Sequence, residues 1–106
     1  MAFNRLTLSG VVSSEPSFFK TSSGVDGCNF YIRSADITYP VQFTAYGNLK
    51  EKGAESLQKG DYVNIDGYVN TRQSHSTGAV SIALVASYVE NISAIMDVMC
   101  DDGDGE

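Results

Sequence analysis

The stretch FTAYGNLKEKGAESLQKGDYVNIDGYVNTR, residues 43–72, decides the fold. Both ends of the stretch alternate apolar and polar residues, which is the pattern of a half-buried strand. Between them, Asn48 stands where a helix N-cap belongs, Glu51 three residues later completes a capping box, and Gly60 follows as a stop signal. The stretch therefore predicts a strand, a short helix and a second strand.

The same alternation recurs on both sides of this stretch. Two strands are predicted before it and one after it, and SFFKTSSG (residues 17–24) resembles the start of another strand. The positions predicted to face inward are Leu6, Leu8, Val12, Cys28, Phe30, Ile32, Val41, Phe43, Ala45, Val63, Ile65, Val69 and Thr71. Five short strands with one helix between the third and the fourth are typical of the OB-fold, a Greek-key barrel. The predicted fold class is all-β, with the helix covering one end of the barrel.

The charge of −6 over 106 residues is distributed unevenly. The last ten residues hold five acids and no base, so the rest of the chain is nearly neutral. We expect one domain over residues 1–95 and a disordered acidic tail over residues 96–106, because Gly and Asp bury little apolar surface. Neither a signal peptide nor a membrane-spanning run is visible, which predicts a cytoplasmic, nucleoid-associated protein without a membrane partner, or one of the host cytoplasm if the source is viral.

The residues that carry chemistry are few. Cys28 is predicted to be buried and Cys100 to be exposed, with no disulfide between them. One histidine, His75, and two distant cysteines do not form the ligand spacing of a zinc site. No nucleophile–base pair and no phosphate-binding glycine loop are visible, so we expect no enzyme activity, no metal and no cofactor.

Three segments resemble the bacterial and phage single-stranded DNA-binding proteins (SSB). NRLTLSGVVSSEPSF (residues 4–18) is similar to the family's first strand, which an acid–Pro pair follows. CNFYI (28–32) resembles the second block, and the segment from Val41 to Arg72 is similar to the third. The primosomal replication protein N group shares the opening pattern and is a close second.

The resemblance implies that the chain binds single-stranded DNA without sequence preference in replication, recombination or repair. It also implies a homodimer or homotetramer, with replication or recombination proteins as further partners. The predicted function is stacking of bases on tyrosines and contact of phosphates with arginines. The alternative is a replisome or primosome adaptor that acts mainly through protein contacts. The predicted DNA-binding residues are Arg5, Tyr31, Arg33, Tyr39, Tyr46, Tyr68, Asn70 and Arg72.

Several positions depart from the family pattern. The chain has no tryptophan, Pro40 lies six residues before Tyr46 where the family has an aromatic, and Ser74 lies two residues past Arg72 where many members have Trp. Tyr39 reaches the place of Pro40 only if the register shifts. One of the two phenylalanines 18 and 19 is expected in the core, and Lys50, Lys52 and Lys59 are expected on a solvated helix face.

Overall fold

The computed structural model describes residues 3–95. Their chain order is six strands: β1 Leu6–Val12, β2 Ser17–Lys20, β3 Asp26–Arg33, β4 Val41–Tyr46, β5 Tyr62–Gln73 and β6 Val80–Asn91. A short helical turn covers residues 93–95. The all-β fold class is confirmed, and no helix among residues 3–95 is long and apolar enough to cross a bilayer.

Five of the strands close into a barrel. The sheet order is β1-β5-β6-β4-β3-β2, and an additional pairing of β1 with β3 joins the two sides. That closing contact pairs Val11 with Arg33 and Val12 with Ile32. The order of neighbours differs from the order along the chain, as a Greek-key barrel requires. β2 lies outside the ring and pairs only with β3. It is therefore an edge strand in addition to the five strands predicted for the barrel.

Alternation along the strands fills the barrel. Fully buried side chains come from β1, β3, β4, β5 and β6, and the largest are Phe30, Phe43, Ile32, Ile65, Val12, Val63, Val89 and Cys28. The rings of Phe30 and Phe43 stack with their centroids 6.0 Å apart. The predicted inward positions of β3 and the first half of β5 are therefore confirmed, because one face of each strand meets the same core.

The connection between β4 and β5 differs from the predicted helix in its extent. Asn48 caps it as expected, since its side-chain oxygen accepts the N–H of Glu51 at 3.2 Å. One helical bond follows, from the N–H of Lys52 to the carbonyl of Asn48 at 3.1 Å. Gly53 then adopts a φ of +79°, which ends the helical turn. A run of turns continues to Gly60, and the buried side chains of Ala54 and Leu57 cover the end of the barrel.

The outer half of the β5–β6 hairpin leaves the barrel. The pairing slips by one residue between Asp66 and Gly67, and the bonds of β1 to β5 end at Gly67. Val69 and Thr71 are consequently exposed, so the prediction that they face the core is wrong. Alternation alone could not reveal this, because the strand continues with the same period after its neighbours have ended.

Candidate nucleic-acid interface

The outer face of β3 and β4 carries the first group of predicted residues. Gly27 pairs with Tyr46, and Tyr31 pairs with Gln42, so all four residues point away from the core on neighbouring strands. Tyr46 is 37% exposed and Tyr31 is 41% exposed. Two tyrosine rings therefore stand on one sheet surface with part of each ring open to solvent, which is the geometry that base stacking needs.

Phe19 belongs to the same surface. β2 pairs Phe19 with Gly27, and a Cβ at Gly27 would lie 2.3 Å from the Phe19 ring, so only glycine lets the ring lie flat there. From that position Phe19 meets Tyr46 edge to face, with centroids 6.1 Å apart. Neither phenylalanine of β2 enters the core, since Phe18 is 51% exposed, and the expectation of one core phenylalanine is wrong.

The middle of the surface, between Tyr46 and Gln42, is polar but shielded from solvent. The Thr44 hydroxyl donates to the Asn29 side-chain oxygen at 2.7 Å, and Thr44 pairs with Val85 of β6. Although Thr44 points outward as predicted, it is only 6% exposed, because the neighbouring strands crowd it. This hydrogen bond makes a firm floor between Tyr46 on one side and Gln42 on the other.

Lys52 is a contact that the sequence did not reveal. Its ammonium group donates to the backbone carbonyl of Tyr46, and its own carbonyl accepts the N–H of Val89 at 2.7 Å. The prediction of a solvated lysine face is therefore wrong for Lys52. Spacing in the sequence indicates neighbours on a helix face, whereas the turn that ends at Gly53 brings the Lys52 ammonium to the backbone of Tyr46.

Arg72 reaches the same surface from the hairpin. It lines a cleft of about 260 Å³ together with Gln42 and Thr44 of β4 and Ala83 of β6. Tyr46 and Arg72 therefore lie on one side of the molecule, since Thr44 and Tyr46 alternate on the same face of β4. Asn70 is exposed two residues before Arg72, and its side-chain oxygen accepts the N–H of Thr71 at 2.8 Å.

Tyr68 and Arg5 lie on a second region, across β5 and β1. Tyr68 pairs with Val85, and a cleft beside it is lined by Arg5, Asp66 and Tyr88. A guanidinium nitrogen of Arg5 lies 3.5 Å from the Asp66 carboxylate, so part of its charge is already compensated. Tyr88, 49% exposed, is an aromatic residue that the alternation did not single out, because the register shift before it changes the face.

The base of the hairpin is held by Asn4. Its side-chain nitrogen donates to the carbonyl of Val69 at 2.6 Å, and its oxygen accepts the N–H of Val69 at 2.9 Å. The amide thus acts as one more peptide group on the free edge of β5 and orders the strand next to Tyr68. The remaining predicted residues, Tyr39 and Arg33, are exposed; Tyr39 lies in the loop before β4 and Arg33 at the end of β3.

The charges of this surface are partly neutralised. Within residues 3–95, the ion pairs are Arg5–Asp66 and Lys20–Asp26. The other five cations take no part in them: Arg33, Lys50, Lys52, Lys59 and Arg72.

Metal ligands and free thiols are the other chemical groups to consider. Within residues 3–95, no three His, Cys, Asp or Glu side chains group as metal ligands. Cys28 is buried and free, and burial raises the pKa of its thiol to about 11. Cys100 and the acidic tail lie outside the described residues.

Solved structures with this fold include single-stranded DNA-binding proteins. The SSB domain of a Synechococcus protein superposes with a TM-score of 0.68 at 11% identity, covering 86% of this chain and 98% of its own. The single-stranded DNA-binding protein of Thermus aquaticus gives 0.69 at 16% identity, covering 84% of this chain and 50% of its own. At such identities the likeness establishes the fold, which is the OB barrel of SSB domains.

Similarity in sequence points to a narrower group. The replication restart protein PriB of Photobacterium profundum is 29% identical over 104 residues, covering 87% of this chain and 94% of that protein. PriB of Haemophilus influenzae strain PittEE is 28% identical over 101 residues, covering 84% and 91%. No protein-family model matches the chain. The predicted resemblance to SSB proteins, with the primosomal replication proteins close behind, is confirmed.

Proposed function

We propose that this protein binds single-stranded DNA without sequence specificity during DNA replication. The observation that carries the proposal is the placement of Tyr46, Tyr31 and Arg72 on one face of the barrel. Bases stack on the two rings, and phosphates are neutralised by Arg72 of the hairpin and Lys52 beside Tyr46. Stacking tolerates any base because every base has a π-face.

The two regions of the interface contribute unequally. Tyr46 and Tyr31 stand on the face that continues into the Arg72 cleft, whose lining holds no acid, and the hydrogen bond between Thr44 and Asn29 supports this face. Tyr68 and Arg5 lie beside Asp66, which repels phosphate. We therefore assign the main stacking to the β3–β4 face and only an auxiliary role to Tyr68 and Arg5. Asn70, Arg33 and Tyr39 lie at its borders and extend the contact. The roles in recombination and repair follow from the same binding, because both expose single strands.

Titration of fluorescent oligo-dT at two salt concentrations tests the proposal. Replacing Tyr46 by Ala should weaken binding by ~1–3 kcal/mol, the usual value of one stacked base. Tyr46→Phe keeps the ring and should bind nearly as well. Phe18→Ala removes an exposed ring from the opposite face of β2 and is the matched control. Absence of binding at micromolar wild-type protein would overturn the proposal.

A second candidate is an adaptor that acts through protein contacts. The hairpin leaves Val80 65% and Ile82 73% exposed, and such apolar side chains suit a protein partner. The PriB relatives carry the name of replication restart proteins, and in this second candidate function the chain acts in the same process through a protein partner. Val80→Ser separates the two functions: Val80 lies outside the Arg72 cleft, so the change should weaken a protein contact and leave oligo-dT affinity unchanged. Sedimentation of the same variant tests the proposed homodimer or homotetramer.

A further inference from the structure

A second cleft opens where β1 and β3 close the barrel. It has a volume of about 320 Å³ and is lined by Val11, Val12, Ser13, Arg33, Lys59 and Gly60. Two cations thus border a floor that is largely apolar. Along the outer face of β3, Arg33 follows Tyr31 by two residues, about 7 Å, on the side away from Tyr46. The cleft therefore continues the stacking surface.

Backbone hydrogen bonds fix the chain segments that carry Arg33 and Lys59. The N–H of Gly60 donates to the carbonyl of Val12 at 2.8 Å, and the N–H of Val12 donates to the carbonyl of Asp61 at 2.9 Å. These two bonds tie the turn that carries Lys59 to β1. On the other side, the N–H of Ser13 donates to the carbonyl of Tyr31 at 2.9 Å, next to Arg33. The separation of the two backbone positions that carry Arg33 and Lys59 is consequently set by the barrel closure.

The charges around the cleft favour an anion. None of its six lining residues is acidic, and neither Arg33 nor Lys59 takes part in the ion pairs found among residues 3–95. Along the chain, Asp61 lies two residues from Lys59 and Asp36 three from Arg33, but neither lines the cleft, and the Asp61 carboxylate accepts the N–H of Gln58 at 2.9 Å. A cation pair left uncompensated beside an apolar floor suits a sugar–phosphate backbone.

We propose that the Arg33–Lys59 cleft is a second phosphate subsite, which takes the backbone of a single strand as it leaves Tyr31. The inference deepens the proposed function and rests on it. In this path the bases stack at Tyr46 and Tyr31, and the strand then crosses the closure of β1 and β3. The half-buried Val11 contacts the sugars, while the two cations bind phosphates. A short strand occupies only the stacking surface, and a longer one reaches the cleft.

Oligonucleotide length tests this path. Oligo-dT of about 5 and about 15 nucleotides spans the site sizes of single OB-folds. The double variant Arg33→Ala/Lys59→Ala should bind the longer strand about tenfold more weakly at low salt and lower the slope of log K against log salt by about 1.4, or 0.7 per phosphate. Binding of the shorter strand should change by less than about twofold. Lys50→Ala removes an exposed lysine of the same turn segment, outside the cleft, and is the matched control.

The possible results are distinguishable. If both oligonucleotides bind and the double variant behaves like Lys50→Ala, the subsite is overturned while the proposed function stands. An equal loss for both lengths also overturns the path, because the cations then act on the whole surface. If neither length binds to the wild type, the proposed function falls and the subsite falls with it. Circular dichroism melting of each variant verifies that the barrel is intact.

Discussion

The ring of Phe19 meets the ring of Tyr46 at 85°, with centroids 6.1 Å apart. The two residues are far apart in sequence and meet because Gly27 of β3 pairs with both of their strands. This edge-to-face contact orients Tyr46, which stays 37% exposed. Tyr46, which the family pattern indicates as a stacking residue, is thus positioned by Phe19, which the pattern does not include.

Removing Phe19 should therefore weaken DNA binding through Tyr46. We expect Phe19→Leu to lower the affinity for oligo-dT by at most about 1.5 kcal/mol, the range of one aromatic pair. In a Tyr46→Ala background, the same change should have no further effect. Phe18→Leu, on the opposite face of the same strand, is the control. Additive losses in the double variant would contradict the orienting role.

The amide of Asn4 should protect the β5 edge. Asn4→Ala removes both bonds to Val69, and each is worth about 1 kcal/mol or less at an exposed site. We expect faster hydrogen exchange of the Val69 N–H and a small loss of unfolding free energy. Asn70→Ala, whose side chain bonds only to the neighbouring Thr71 N–H, should leave Val69 protected. Unchanged exchange at Val69 in Asn4→Ala would refute this role.

Two glycines with similar backbone angles should differ in their tolerance of a methyl group. Gly53 has a φ of +79° and a Cβ there would lie 2.0 Å from the carbonyl oxygen of Val89. Gly60 has a φ of +94° and open space around it. Gly60→Ala should cost ~1 kcal/mol for the left-handed conformation alone, and Gly53→Ala at least about 3 kcal/mol, because the backbone must move. Urea denaturation measures both. Equal losses would show that the close approach does not matter.

The buried thiol of Cys28 should make stability depend on alkaline pH. Its pKa rises from the ordinary value of 9.0 to about 11 because burial disfavours the thiolate. The folded state therefore holds the proton more tightly than the unfolded state, so this contribution is full below pH 9 and is lost as the pH rises towards 11. The difference in unfolding free energy between wild type and Cys28→Ala should shrink over that interval. A constant difference would mean that the thiol is not shielded.

The acidic residues at positions 97–106 should compete with DNA for the cations. Five carboxylates and no base in this stretch resemble a stretch of phosphates in charge. Deleting residues 97–106 should tighten oligo-dT binding at low salt, and the gain should vanish at high salt as the charges are screened. An affinity that is unchanged at low salt would remove the idea.

Much of the barrel was predictable because its signals are local. Alternation at Cys28, Phe30 and Ile32 identified β3, and Asn48 was recognised as a cap. Local signals did not show where a strand loses its neighbours, so Val69 was placed in the core although it is exposed. For the site, the outward positions of Tyr46 and Tyr31 followed from strand period. The contacts of Lys52 and Phe19 did not, since both depend on partners distant in the chain.

By itself, the sequence determined which residues alternate, where turns occur and which aromatic and basic residues face outward, since these properties depend on neighbours two to four positions away. The tertiary structure alone decided that Phe19 and Lys52 contact Tyr46, that Arg72 shares a cleft with Gln42, and that Arg33 and Lys59 border another cleft. The physical reason is the closure of the barrel. Register and the β1–β3 contact set these distances, and both arise from packing of the whole core.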